Sequence, residues 1–181
     1  MTSVEVAQSA QTGIHQVYPD AEVVGVNVAD GGEGTVEAIV QTLAGEIVEV
    51  QVSDPLMRPI TAHYGIAGDT AIIEMAAASG LPLLTPEKRN PWLTSTYGTG
   101  EMIMDAIGRG CRSFLIGLGG SATNDGGRGM IEVEGLLEAA RGLSFTVACD
   151  VDTPFTGPQG ASRVFAPQKG ASPADVEVLE K

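Results

Sequence analysis

From Gly117 to Gly129 the chain reads Gly-Leu-Gly-Gly-Ser-Ala-Thr-Asn-Asp-Gly-Gly-Arg-Gly, six glycines in thirteen residues. The residues before it, Phe114-Leu115-Ile116, form an apolar, strand-like run, and a helical pattern follows. Regular elements do not tolerate that much glycine, so the segment must be a loop carrying a strand into a helix. Glycine frees the backbone to take positive φ and lets an anionic group approach its N–H groups. Thr123, Asn124 and Asp125 place two small polar side chains and a carboxylate in the same turn. The combination points to a ligand site, with phosphate as the leading candidate. The plainer alternative is a glycine-rich connection with no ligand.

The rest of the chain alternates strand and helix patterns around this loop. Residues 2–18 read as a helix with Ala7, Ala10, Ile14 and Val17 on one face, closed by Pro19-Asp20. Residues 22–28 read as a strand, followed by the turn Asp30-Gly31-Gly32-Glu33-Gly34. Val36, Ile39, Val40 and Leu43 mark a helix over 35–44, with Gly45 as its C-cap. Residues 46–52 and 60–67 read as a hairpin, and 70–74 as a short strand. A proline-rich connection spans 81–93, and Tyr97-Gly98-Thr99-Gly100 opens a further helix. After the strand 113–118 and the glycine loop, Val133, Leu136, Leu137 and Ala140 mark a helix. Residues 145–149 read as a strand and 151–170 as a loop, and a last helix begins near Ser172-Pro173. Alternation with one hairpin predicts an α/β fold with a mixed sheet and flanking helices. The only joint between domains suggested by the pattern lies near 54–70.

Charge narrows the partners. The 181 residues carry a formal net charge of −13, a sign that repels nucleic-acid backbones. A nucleotide would need Mg²⁺ or a few well-placed cations to settle on such a surface. Neither a signal peptide nor an apolar run of membrane-spanning length is visible, so a cytoplasmic location without membrane contact is the expectation. Cys111 and Cys149 read as reduced, buried thiols.

Several groups could carry chemistry, and each has a plainer reading. Gly117-x-Gly119-x-x-Ala122 resembles a dinucleotide fingerprint, with Asp150 as a possible ribose partner. Turn residues continue through Gly129, however, where that fold would start its helix at once. No Gly-Lys-Ser/Thr follows, so the loop is not a Walker A motif. Asp30 and Glu33 stand at a strand–helix turn and could hold Mg²⁺ or accept a hydroxyl proton, or simply favour a helix N-terminus. Thr96 and Thr99 lie in a hydroxyl-rich stretch before a helix, which equally suits an ordinary cap. Lys169 could neutralise a phosphoryl group, although most loop lysines are merely solvated. Glu74 closes an apolar strand and needs a partner. His15 and His63 show no metal or dyad spacing and read as structural.

Taken together in order, these segments resemble the bacterial glycerate kinase family, the type without a P-loop. The resemblance rests on residues 28–35 (Val-Ala-Asp-Gly-Gly-Glu-Gly-Thr), 73–81 (Ile-Glu-Met-Ala-Ala-Ala-Ser-Gly-Leu), 86–91 (Pro-Glu-Lys-Arg-Asn-Pro) and 96–101 (Thr-Tyr-Gly-Thr-Gly-Glu). It continues through 116–127, through Ala148-Cys149-Asp150-Val151, and through 157–161 with 167–171. It implies ATP-dependent phosphorylation of D-glycerate, the 2-phosphate being the expected product. It also implies a two-domain enzyme, a Rossmann- or flavodoxin-like domain with a second α/β domain inserted. Residues 1–57 would be part of the first and 58–181 the second. Family members begin with an earlier strand and lysine motif and continue well past residue 181, so this chain corresponds to roughly half of one. The family also carries a longer stretch between Met130 and Phe145. Arg128, Thr153 and Ala166 replace a small residue, Asn and Gly, and Arg128 could add a phosphate contact.

On that resemblance the 119–127 loop, with Gly119, Gly120, Gly126 and Gly127, would cradle phosphate or the glycerate carboxylate. Asp125 is the first candidate to orient the substrate hydroxyl or hold Mg²⁺, with Asp30 and Glu33 as alternatives. Lys169 would stabilise the transferred group, and Ser121, Thr123, Asn124, Thr96 and Thr99 would hydrogen-bond substrate. The rival readings are an NAD(P)-binding oxidoreductase domain and a non-catalytic ligand-binding fragment.

Overall fold

A computed structural model describes residues 3–25 and 34–181. Helix α1 (Ser3–Val17) and helix α2 (Thr35–Leu43) precede three strands, β1 (Glu46–Ser53), β2 (Pro59–Ala67) and β3 (Thr70–Glu74). Helices α3 (Ala76–Ser79) and α4 (Tyr97–Gly108) lead to strand β4 (Ser113–Gly117). Short helices α5 (Arg128–Ile131) and α6 (Leu136–Ala139), strand β5 (Ser144–Ala148) and helices α7 (Ala161–Phe165) and α8 (Pro173–Leu179) follow. The five strands form one sheet in the order β1-β2-β3-β4-β5. The first three are antiparallel neighbours, whereas β3–β4 and β4–β5 are parallel. The sheet is therefore mixed, as the pattern predicts.

Strand alternation sorts the core into two layers. Ala71, Ile73, Phe114 and Ile116 face Met102, Ile103 and Ala106 of α4. Ile72, between Ala71 and Ile73, turns to the other face and meets Val36 and Val40 of α2. Helices thus cover both faces of the sheet's middle, and the ends of β3 and β4 come out together, Glu74 beside Gly117. The β1–β2 turn is tied by Asp54, which accepts from Leu56 N (2.8 Å) and Arg58 N (2.9 Å) and pairs with the Arg58 guanidinium. A division after residue 57 falls in this turn, where eight register pairs join the two strands on either side.

Some local expectations change. Residues 21–25 take no regular structure, and the remainder of the strand expected over 22–28 lies outside the described residues. Helix α2 is capped by Ala44 in the left-handed region (φ 53°), one residue before Gly45. The helix expected around Val133–Ala140 is reduced to the single turn α6, because Gly135 at φ 77° interrupts the right-handed run. The expected 151–170 loop contains α7 and a 3₁₀ turn, Pro167–Lys169. Both cysteines are free, but only Cys111 is buried; Cys149 is exposed beyond the open edge of the sheet.

Candidate functional site

The parallel strands β3 and β4 end side by side, the edge at which α/β sheets bind ligands. The chain leaving β3 forms α3, and the chain leaving β4 forms the glycine-rich loop. The two are laced together: Leu81 N donates to Gly120 O and Ala122 N to Ser79 O, each at 2.8 Å. The Ser79 and Thr99 hydroxyls share a buried 2.8 Å hydrogen bond, and Thr94 Oγ1 donates to Ala122 O (3.1 Å). Gly120, Gly126 and Gly127 all take positive φ, so the loop's reversals depend on glycine.

Asp125 fastens the far end of the loop. Its Oδ2 accepts from Thr96 N (2.9 Å), Thr96 Oγ1 (2.8 Å) and Gly129 N (3.0 Å). Its Oδ1 accepts from Gly127 N (3.1 Å). Thr96 Oγ1 in turn accepts from Met130 N (2.9 Å). The carboxylate therefore braces the loop against the start of α4. With four donors directed at it, this carboxylate does not fit the role of a Mg²⁺ ligand. Among the described residues there is no cluster of three or more His, Cys, Asp or Glu side chains that could hold a metal.

Lys169 enters from the 3₁₀ turn Pro167–Lys169. Gly170, at φ 95°, lets that turn press on the backbone of Arg89. The lysine is only 7% exposed, and its Nζ donates to Ser121 Oγ (2.8 Å) and Thr123 O (2.5 Å). It forms no salt bridge among the described residues. Burial pulls the ammonium down to about 8, with the charge of Asp125 opposing the shift. A buried ammonium held by neutral acceptors is a receptor for an anion.

Lys169 lines a cleft of about 450 Å³ together with Thr96, Thr99, Ser121, Thr123, Asn124, Asp125, Gly126 and Gly127. Nine of the residues singled out in the sequence thus meet on one wall. The N–H groups of Ser121, Thr123, Asn124 and Gly126 donate to no described residue. Asn124 Nδ2 donates to Ser162 Oγ (3.1 Å), which ties the loop to α7. Gly119 and Gly120 lie upstream of the cleft wall, and Asp30 and Glu33 lie outside the described residues. Arg128 pairs with Glu132 (2.9 Å) on the solvent face and does not line the cleft. Glu74 finds its partner in α2, accepting from Val36 N at 2.9 Å, while burial raises its carboxyl above the usual range.

The sequence reading missed Phe155 and Ser162, which also line the cleft. The adjacent Gly157-Pro158-Gln159-Gly160-Ala161 segment was the available signal. The dinucleotide geometry is not formed: the chain has no regular structure from Ala122 to Gly127, and α5 is a single turn starting at Arg128. No helix among the described residues is long and apolar enough to cross a membrane.

A model of the glycerate kinase family matches residues 1–137 and 131–181. A glycerate kinase of Haemophilus influenzae is 44% identical over 210 residues, covering 99% of this chain and 56% of that protein. A glycerate 2-kinase of Escherichia coli is 43% identical over 210 residues, covering 99% and 55%. A solved glycerate kinase structure from Salmonella typhimurium LT2 superimposes with a TM-score of 0.82 at 43% identity, covering 99% of this chain and 57% of that one. The chain spans about half the length of the curated relatives it matches. The 210-residue alignments are longer than this 181-residue chain, so those relatives carry residues between matched positions that this chain lacks.

Proposed function

The chain belongs to the glycerate kinase family, and from that premise we propose that it forms the anion-gripping part of an ATP-dependent glycerate kinase. The reaction transfers the γ-phosphoryl group of ATP to the 2-hydroxyl of D-glycerate, giving 2-phosphoglycerate and ADP. The full enzyme is a two-domain α/β protein that works in the cytoplasm. The observation that carries this reading is Lys169, a buried ammonium with no carboxylate partner among the described residues, set beside a loop whose N–H groups at 121, 123, 124 and 126 donate to no described residue.

Phosphoryl transfer asks a protein mainly for position and charge neutralisation. Lys169 neutralises the transferred group as charge moves to the leaving oxygen. Thr123, Asn124 and Gly126 direct N–H groups at the phosphate, and Ser121 orients the lysine. Thr96 and Thr99 anchor the neighbouring wall, and Asp125 keeps loop and helix in register. Deprotonation of the glycerate hydroxyl falls to a carboxylate base outside this brace, with Asp30 and Glu33 as the candidates. Mg²⁺ bound with the nucleotide would supply further charge neutralisation, with Asp30 rather than the fully hydrogen-bonded Asp125 as the carboxylate to hold it.

The test is ADP release from ATP, Mg²⁺ and D-glycerate. Glycerate-dependent release that drops by about 10²–10³ for Lys169→Ala supports the assignment. A protein that folds but releases no glycerate-dependent ADP sinks the kinase reading.

A further inference from the structure

The cleft has more apolar wall than a three-carbon hydroxy acid can use. Leu118, Val147 and Phe155 line it yet are 41%, 51% and 77% exposed. Every carbon of glycerate carries oxygen, so glycerate at Lys169 would leave these three side chains in water. Phe155 also has a defined neighbour. Its ring lies over Gly126, where an added Cβ would stand 3.6 Å from Cζ. Gly126 is therefore both a source of an N–H that meets no acceptor among the described residues and the floor beneath an exposed aromatic ring.

We propose that this cleft is the nucleotide's seat: the purine base lies against Phe155, Leu118 and Val147, and the phosphates run to Lys169 and the 123–126 backbone. The inference rests on the kinase reading and adds a division of labour to it. Glycerate then approaches the γ-phosphate from outside this cleft. Charge complementarity supports the placement, because a nucleotide offers an anionic end for the buried ammonium and a flat apolar end for the aromatic lip. At about 450 Å³ the cleft is of a size to take a small-molecule cofactor.

Calorimetric titration of the 181-residue chain with Mg·ADP, ribose 5-phosphate and D-glycerate tests it. ADP should bind at least about tenfold more tightly than ribose 5-phosphate, which has a phosphate but no base. Phe155→Ala should weaken ADP about tenfold and leave ribose 5-phosphate unchanged, while Phe155→Trp should restore ADP binding. Saturating D-glycerate should not displace ADP. Phe155 is largely exposed, so its truncation should leave folding intact, which a matching thermal midpoint verifies. An ADP affinity indifferent to Phe155→Ala, displacement of ADP by D-glycerate, or no ADP binding would each overturn the proposal. Phe155-dependent ADP binding without glycerate-dependent turnover would uphold this site while removing the kinase reading. Turnover with Phe155-independent binding would do the reverse.

Discussion

Lys169 carries a charge that its surroundings disfavour, and two measurements should register it. Burial holds its ammonium near 8 in the folded protein, against an ordinary 10.5. If the charged form grips the phosphate, kcat/KM for ATP should be full below pH 8 and fall as pH rises through that value. Lys169→Met should be slow throughout and lack that limb. Stability moves the other way. Between about pH 8 and 10.5 the unfolded chain keeps a proton that the folded one has shed, so stability contributed at this site rises with pH. Urea unfolding at pH 7 and 9.5 should show the wild type gaining on Lys169→Met. The lysine's place in a motif was legible in the sequence, and its burial was not. Asp125 shows the same limit. A carboxylate in a glycine-rich turn reads as a catalytic or metal-binding acid, yet its oxygens are occupied by Thr96, 29 residues earlier, and by its own loop. Local sequence cannot report a pairing across that separation.

Between elements, the site depends on how closely helices meet the sheet. A Cβ added at Gly98 would collide with the Ser53 carbonyl, and one at Gly100 with the Met130 carbonyl. These glycines let α4 approach β1 and α5 at backbone distance. Gly98→Ala should therefore cost about 1–3 kcal/mol in urea unfolding despite its better helix propensity. Glu74 links β3 to α2 by accepting the buried Val36 N–H. Its carboxyl is raised by burial, with Glu37 adding to the shift and the Val36 N–H opposing it. Stability at this site therefore falls as pH climbs from the ordinary carboxylate value to the raised one. At pH 7 Glu74→Gln, neutral and still an acceptor, should be as stable as wild type or more so. Glu74→Ala should lose about 1–3 kcal/mol by orphaning the N–H. Periodicity was enough to locate α1, α2, the hairpin and α4; the stripes of α2 and α4 pack on the sheet, whereas Ile14 and Val17 of α1 stay exposed. It failed at 133–140, where Leu137 is 62% exposed and Gly135 decides the backbone.

Across the whole molecule the least covered strand is β5. It forms one border of the sheet, and Phe145, outside the cleft, remains exposed although it stacks on Phe114 at 4.7 Å. The family model matches in two overlapping pieces that meet at 131–137, just ahead of this strand. The shortening between Met130 and Phe145 was visible in the sequence, but its structural cost lies in an edge that only the sheet order reveals. Inserting, at the 131–137 overlap, the longer stretch that a family member carries should raise the thermal midpoint and reduce concentration-dependent association in sedimentation. An insertion that leaves both unchanged would show that the segment does not cover β5. The strand order also bears on synthesis. Each strand lies beside the one made just before it, so a chain emerging from the ribosome always offers its newest strand a finished neighbour. The hairpin can close while later residues are still being added, and Lys169 is the last of the anion-gripping residues named above to be translated.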